Sequence, residues 1–406
     1  MIELQGKYTK ATVYTDNIEQ EAISQIIELC NQQMFTNASI KIMPDVHAGK
    51  GCVIGFTAVT DTRMIVPNLV GVDIGCGVAA TVIHCDKSID YKKFDAFLRE
   101  KIPAGFAVHS KAVAGIPREI ADDVKVICEN IGDDKYDRHL KSCGTLGGGN
   151  HYIEIGKIDD TKLLLTVHTG SRNLGKKVCE FYQNKARQTH SQVRAEISAK
   201  HKTAVTSEEH EAIQRELSAL PKIPKDLAWL EGHDFDAYIA DMKRTQRFAL
   251  CNRAVISSIL AEWFRLEYNA VTTGFFDTAH NYVEQIDGKI IIRKGAISAK
   301  YGEQVAIPLN MRDGVIVATG KCNPDWNSSA PHGAGRLMSR SAAKKAITLE
   351  EFQASMTDIQ TWSVGSSTLD EAPQAYKPAE DIIGAIGDTV EIEYIAKPVY
   401  NFKAGD

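Results

Sequence analysis

Long apolar runs are missing from this chain: none approaches the ~20 residues needed to span a bilayer. A helical membrane anchor is therefore not expected. The start, Met1 to Lys7, has no basic stretch leading into an apolar one, so no signal peptide is expected either. A soluble, cytoplasmic protein with no membrane partner is the resulting expectation. Paired cysteines are missing too. The nine cysteines fall at 30, 52, 76, 85, 128, 143, 179, 251 and 322 without a CxxC, which argues for reduced thiols. One of them is free to be recruited as a ligand or nucleophile. Basic excess is absent: 47 lysines and arginines face 52 acids, for a net charge of -5. Any groove for a nucleic acid must therefore be local. Neither a Walker nor a Rossmann glycine pattern occurs, so kinase and dehydrogenase chemistry are not indicated.

Repeats, low-complexity tracts and Pro/Ser-rich linkers are also lacking. At 44% hydrophobic and 24% charged, the 406 residues read as one large globular domain, 1–406. Residues 1–85 and 140–175 are rich in glycine and β-branched residues and read as short strands with tight loops. From about 176 to 270 the texture turns helical, and Glu208–Leu220 and Phe235–Tyr268 carry helical spacing. Strands return over 271–320. Ala334–Ile347 and Leu349–Met356 then read as helices, the second opened by a capping box in Thr348-Leu-Glu-Glu351. The expected fold class is α+β: mixed and antiparallel sheets with flanking helices and a helical insertion at about 180–270. That insertion has two readings, packing against the core or direct contact with substrate.

Two hairpins organise the chemistry. In the first, His151-Tyr-Ile-Glu-Ile reaches a turn at Asp159-Asp160, and Leu163–Val167 returns to His168. A two-residue turn sets His151 opposite His168 on one face, with Cβ atoms ~4.5–5.5 Å apart. Two imidazoles at that spacing can share a metal ion. In the second, Asp287-Gly288 is a type I′ turn signal that sets Asn281 opposite Lys294. His280 then emerges beside Gly295 at the open end.

Two glycine-rich segments add ligands and a nucleophile. Val70-Gly-Val-Asp-Ile-Gly-Cys-Gly77 favours a bent loop carrying Asp73 and Cys76 three apart. A thiolate, a carboxylate and imidazoles together suit a borderline transition metal. His332-Gly-Ala-Gly-Arg336 is expected to precede a helix, so its backbone N–H groups and Arg336 would cradle an anion beside a nucleophilic histidine. Gly147-Gly-Gly-Asn150 is a second loop able to approach phosphates. Each residue alone also has a plain reading: Cys76 as a small buried hydrophobe, His168 and His280 as hydrogen-bonded strand ends, Asp73 as an Asx-turn residue. The histidines at 84, 109, 139, 190, 201, 210 and 233 lack such settings and read as surface or core.

At these motifs the sequence resembles the RtcB family, the GTP-dependent RNA-splicing ligases. The segments that carry the likeness are Met43-Pro-Asp-Val-His-Ala-Gly-Lys-Gly51, Gly71-Val-Asp-Ile-Gly-Cys-Gly77, Gly144-Thr-Leu-Gly-Gly-Gly-Asn-His151 and His168-Thr-Gly-Ser-Arg172. His280-Asn-Tyr-Val283, Arg293-Lys-Gly-Ala296 and His332-Gly-Ala-Gly-Arg336 complete them, in the family's order.

The resemblance implies that Asp73, Cys76, His151, His168 and His280 bind metal, two Mn ions with Cys76 between them. It implies that His332 takes GMP from GTP. The nucleotide pocket would draw on Asn150, His151, Tyr152, Ile153, Glu154, His280, Asn281, Lys294, Gly333, Ala334, Gly335, Arg336, Tyr376 and Lys403, with Glu154 reading the guanine. Asp45, Arg172 and Lys294 are implied RNA or phosphate contacts. The implied substrate is RNA with a 3′-phosphate or 2′,3′-cyclic phosphate end and a 5′-hydroxyl end, in tRNA splicing or RNA repair, with an archease-like activator as a further partner.

One loop departs from the family. Where relatives commonly carry Pro-Gly-Ser-Met-Gly, this chain has Pro308-Leu-Asn-Met-Arg-Asp-Gly314. Pro308, Leu309, Asn310 and Met311 would still face the nucleotide, while Leu309, Asn310 and Arg312 would alter how the guanosine or RNA end is held. The alternative function is a metal-dependent RNA-end phosphoesterase without sealing activity. RNA affinity is expected to sit near Arg172, Lys176 and Lys177 or on the 180–270 helices.

Overall fold

The glycine- and β-branched-rich segments form two main sheets in the computed structural model, which describes residues 1–404. The first has six strands in the order Ile2–Gln5, Lys10–Val13, Ser39–His47, Ile54–Thr60, Lys289–Lys294 and Asn281–Ile286. The second has seven: Val271–Ala279, Gly77–His84, Lys162–Thr169, Tyr152–Lys157, Val390–Lys403, Val315–Gly320 and Gln304–Pro308. Pairing is antiparallel except where residues 11–13 meet 40–42. The fold is α+β, as expected.

The two sheets meet through single residues. Strand Val271–Ala279 of one sheet passes directly into Asn281–Ile286 of the other, and His280 is the residue between them. The return strand Lys289–Lys294 likewise turns at Gly295 into the short strand Ala296–Ser298. A seam between sheets has strand ends on both sides, and side chains there converge instead of alternating between two faces.

The helical insertion is a packing spine. Helix Gly232–Tyr268 runs 37 residues, about 55 Å at 1.5 Å per residue. Its Phe235, Tyr238, Met242 and Phe248 enter the core beneath the six-stranded sheet. Further along, Ile256, Leu260, Trp263 and Phe264 join the core of the seven-stranded sheet with Ile153, Ile155, Leu165 and Val167. Helical spacing puts these on one stripe, with Phe248 off to its side. Helices Arg172–Ala199 and Ser207–Ala219 complete the insertion.

Two local expectations need correction. The first hairpin pairs Tyr152, not His151, with His168. Asp159 Oδ1 accepts from the N–H groups of Thr161 and Lys162, each at 2.8 Å, and so closes a turn one residue longer than Asp159-Asp160. A longer turn slips the register by one. The helix expected over Ala334–Ile347 begins only at Arg340, where Ser339 caps Ala342 N–H. Gly335 stands at φ +75° because the loop presses on Asp45; a Cβ there would lie 2.1 Å from the Asp45 carbonyl oxygen. Arg336 instead forms a bridge with Tyr376. The phosphate cradle at a helix N-terminus is thus not formed by residues 333–336. Helix Leu349–Ser355 does carry the expected capping box.

Candidate active site

The strand Ser39–His47 contains the feature that builds the site. Its pairing with Ile54–Thr60 runs regularly to Ile42↔Phe56 and resumes only at His47↔Ile54. The intervening residues bulge out of the ladder, as strands do beside sites. Asp45 sits on the bulge, fully buried, and its Oδ2 lies 2.6 Å from His332 Nδ1 and 3.1 Å from His332 N. The backbone N–H and ring Nδ1–H both donate to one carboxylate oxygen. This fixes the ring's orientation and places its remaining lone pair on Nε2.

Beyond His332 the imidazoles form a chain. Ring centroids are 4.8 Å apart for His332–His280, 5.2 Å for His280–His168 and 5.4 Å for His168–His151. Cys76 lies just before strand Gly77–His84, held by His280 N–H donating to its carbonyl at 2.9 Å. Its Sγ is 3.4 Å from both His151 Nε2 and His168 Nε2. Ligand atoms of Cys76, His168 and His280 all fall within 4.8 Å of one another. His151 and His168 therefore converge despite the shifted register, because the sulfur lies between them.

Electrostatics favour neutral ligands. Burial holds His168 and His280 well below the usual histidine range, and neighbouring imidazoles add to it. Burial, with the Arg172, Lys403 and Arg340 cations, lowers His151 to about 3. Burial pushes the Cys76 thiol up. A soft sulfur, two buried neutral imidazoles and a nearby carboxylate fit a borderline transition metal, which would bind the sulfur as thiolate. Asp73 lies at the loop start, its carbonyl accepting from Cys76 N–H and Asn281 Nδ2.

These groups open into a cavity of about 290 Å³. Its floor carries Asp73, Cys76, His168, His280 and His332. The walls carry Asn150, Tyr152, Glu154, Asn281, Pro308, Leu309, Asn310, Met311, Gly333, Ala334, Gly335, Arg336, Tyr376 and Lys403. Three predicted residues do not line it. Ile153 points into the core. Lys294 turns its ammonium to the carbonyls of Lys50 and Cys52, at 2.5 and 3.0 Å. His151 lines a second cavity of about 550 Å³, which shares Asp73, Cys76, Asn150 and Arg340 with the first and adds Arg138, Arg172 and Lys176.

The far end of the first cavity is tightly held, its Arg336, Tyr376 and Lys403 gathered on the buried Glu371 behind them. Tyr376 OH and Lys403 Nζ lie 2.5 and 2.6 Å from Glu371 Oε2, and Arg336 Nη1 is 3.1 Å from Oε1. Burial alone would raise Glu371, but Lys403, Arg340 and Arg336 outweigh it and bring the group down to about 2. Arg336 also donates to the Asp370 and Met338 carbonyls, so it braces the pocket wall. Deeper, Asn401 Nδ2 donates to Glu154 Oε2 at 2.8 Å. Burial lifts Glu154 to about 8, against the Asn401 hydrogen bond and Lys403. Among the described residues, Glu154 Oε1 and Asn401 Oδ1 have no partner although both are buried and face the cavity. Buried acceptors of this kind fit a ligand that brings donors.

The divergent loop closes on itself. Asn310 Oδ1 accepts from the N–H groups of Arg312 and Asp313, both at 3.0 Å, and Arg312 pairs with Asp313 at 2.8 Å. Leu309 and Met311 are buried beneath it.

Sequence reasoning missed four groups. Glu371 and Asn401 brace the far end of the cavity. Arg253, fully buried on the long helix, donates to Asp277 at 2.5 and 2.8 Å and to the carbonyls of Gly75 and Thr169 at 2.7 and 2.8 Å. Asn252 accepts from Gly144 and Thr145 N–H and donates to the Thr145 and Gly170 carbonyls. The spine thereby positions the glycine loops that carry Cys76, His151 and His168. Spacing alone gave no signal for any of the four.

The profile of the family described as tRNA-splicing ligase RtcB matches residues 25–404. The chain is 30% identical to RNA-splicing ligase RtcB of Escherichia coli K12 over 415 residues, covering 94% of each chain. It is 26% identical to tRNA-splicing ligase RtcB of Archaeoglobus fulgidus, covering 91% of this chain and 88% of the relative. RNA-splicing ligase RtcB of Mycobacterium tuberculosis is also 26% identical, over 89% and 95%. With the match running through every element that builds the cavity, the chain belongs to the RtcB family.

Proposed function

We propose that this protein is an RNA ligase that uses GTP and Mn to join an RNA 3′-phosphate or 2′,3′-cyclic phosphate end to a 5′-hydroxyl end. The observation that carries this reading is the placement of Asp45-bound His332 in one cavity with Cys76, His168 and His280. Relatives are named RNA- or tRNA-splicing ligases, which supports RNA as the substrate.

Asp45 keeps the His332 proton on Nδ1, leaving Nε2 to attack the α-phosphorus of GTP. A P–N bond forms, the α–β anhydride breaks, and pyrophosphate leaves. Glu154, Asn401, Tyr376 and Lys403 orient the guanosine. Cys76, His168 and His280, with His151 and Asp73 beside them, would hold the divalent metal, which would neutralise phosphate charge and stabilise the displacement. GMP then passes from His332 to the RNA 3′-phosphate, restoring the free imidazole. The 5′-hydroxyl attacks that phosphate and GMP departs. The second cavity, with Arg138, Arg172 and Lys176 along it, has room and charge for the RNA ends.

Incubation with α-labelled GTP and Mn, followed by denaturing electrophoresis, tests the reading. The wild type should carry an acid-labile, base-stable label that His332→Ala lacks. No label with any divalent metal, while metal remains bound, would overturn ligation and point to a phosphoesterase acting on RNA ends.

A further inference from the structure

We infer that the groove between the N-terminal hairpin and the insertion helices docks the phosphate backbone of RNA, away from the reacting ends. RNA as the partner rests on the ligase reading above. The groove encloses about 1020 Å³, more than three times the nucleotide cavity's 290 Å³. Its charged lining is Lys7, Arg187, Arg194, Lys222, Lys225 and a single acid, Glu28. In a chain with more acids than bases, a groove with five bases and one carboxylate is a strong local departure from the average.

Four of the five cations are not spent on neighbouring carboxylates. Arg187 is: it pairs with Asp226 and donates Nε to the Lys225 carbonyl at 2.8 Å, so it serves as a tether. Lys7, Arg194, Lys222 and Lys225 are exposed, and none forms an ion pair with a carboxylate among the described residues. Long cations without carboxylates, gathered round one concavity, focus a positive field into it.

They are also held in place. Arg187 and Arg194 stand seven residues apart on one face of helix Arg172–Ala199, about 10 Å along its axis. Across from them, Lys222 rides an extended strap, with Leu220 at ψ 135° and Pro224 at φ -58°, ψ 141°, and Lys225 follows it as the first residue of the 3-10 turn Lys225–Leu227. An extended segment of this kind spaces residues i and i+3 by about 9 Å. Gln183 Nε2 fixes the strap through the Lys225 and Ala228 carbonyls, and His190 Nε2 lies 3.0 Å from the Trp229 carbonyl oxygen. Arg194 on the helix and Lys222 and Lys225 across from it put unpaired charge on both sides of the groove, which suits a repeating polyanion recognised by its phosphates and not its bases. Asp226, next to Lys225, accepts from Asn68 Nδ2 at 3.1 Å. Asn68 lies in the 3-10 turn Pro67–Leu69, five residues before Asp73, so one hydrogen bond ties the strap beside the groove to the segment that leads to Asp73.

The test compares binding of a 3′-phosphorylated stem–loop RNA and a trinucleotide, at several salt concentrations. The variants are Lys7→Glu/Arg194→Glu/Lys222→Glu and the milder Arg194→Ala/Lys222→Ala. Each lost phosphate contact should flatten the log K against log salt slope by about 0.7–0.9. The triple variant should bind the stem–loop at least about tenfold more weakly at low salt. The alanine pair should lose less, trinucleotide binding should hold, and GMP labelling of His332 should be unchanged. Unchanged stem–loop affinity and slope in both variants would overturn the groove. A wild type that takes no GMP label would overturn the ligase reading, leaving the groove to be judged by the binding data.

Discussion

Asp45 Oδ2 lies 2.6 Å from His332 Nδ1 and so ties the bulged strand to the start of the glycine loop at residues 332–336. The same oxygen accepts the His332 backbone N–H, so ring and backbone are aligned together. Asp45→Asn would put an amide where a charge now compensates the imidazole as it becomes cationic during attack. The guanylylation rate should fall by about 10²–10⁴-fold, the scale seen when a buried carboxylate orienting a histidine is neutralised. GTP affinity should hardly change. Single-turnover label formation against GTP concentration separates the two; a large loss of affinity with an intact rate would reject this role.

Cys76 contacts both His151 and His168 through one sulfur. Removing it should therefore affect every ion bound there. Cys76→Ser should lower bound Mn toward zero after dialysis, and His168→Ala should remove about one ion while leaving the other. Elemental analysis of the folded variants reads this directly. Retention of full Mn content by Cys76→Ser would exclude the sulfur as a shared ligand.

Glu154 supplies a pH signature. Burial raises the empty pocket's carboxyl to about 8, so it holds a proton at neutral pH. Accepting hydrogen bonds from guanine requires the ionised form, and binding must then release that proton. GTP affinity should rise with pH up to about 8, approaching tenfold per unit on the acid side, and level off above it. Glu154→Gln should flatten the profile and weaken discrimination against ATP. Titrations at several pH values with both nucleotides check this. A flat wild-type profile would show that the carboxyl is ionised before binding.

The sequence made some of this legible. Asp287-Gly288 adopts positive φ at both positions, so the second hairpin has the expected register and His280 falls at the sheet seam. The first hairpin slipped because a side chain, Asp159, sets its turn length, and composition does not reveal which atom closes a turn. Residues 334–339 resemble a helix start by composition, but contact with Asp45, almost 300 residues away in sequence, dictates their path. Asp45 itself stood out only through the family motif, with an RNA contact as its implied role. Its place against His332 depends on a bulge that no periodicity encodes. Glu371, Asn401 and Arg253 were invisible for a related reason: their partners come together only in the fold, Asn401 with Glu154, Glu371 with Arg336 and Lys403, and Arg253 with Asp277, Gly75 and Thr169.

Arg253 shows how far the site's geometry depends on the spine. Its guanidinium joins helix Gly232–Tyr268 to Asp277 on one strand, to Gly75 before Cys76 and to Thr169 after His168. Arg253→Met would leave the half-buried Asp277 unpaired and free two carbonyls from their donor. Breaking a buried pair from one side costs about 3–5 kcal/mol, whereas replacing both members costs far less. Arg253→Met should therefore destabilise strongly, and Arg253→Met/Asp277→Leu should recover much of that loss. The double variant should still bind Mn more weakly than wild type, because Gly75 and Thr169 would lack their clamp. Denaturant midpoints and Mn content of the two variants separate fold from site. Equal Mn affinity in the double variant would show that the metal-side loops hold their shape without Arg253.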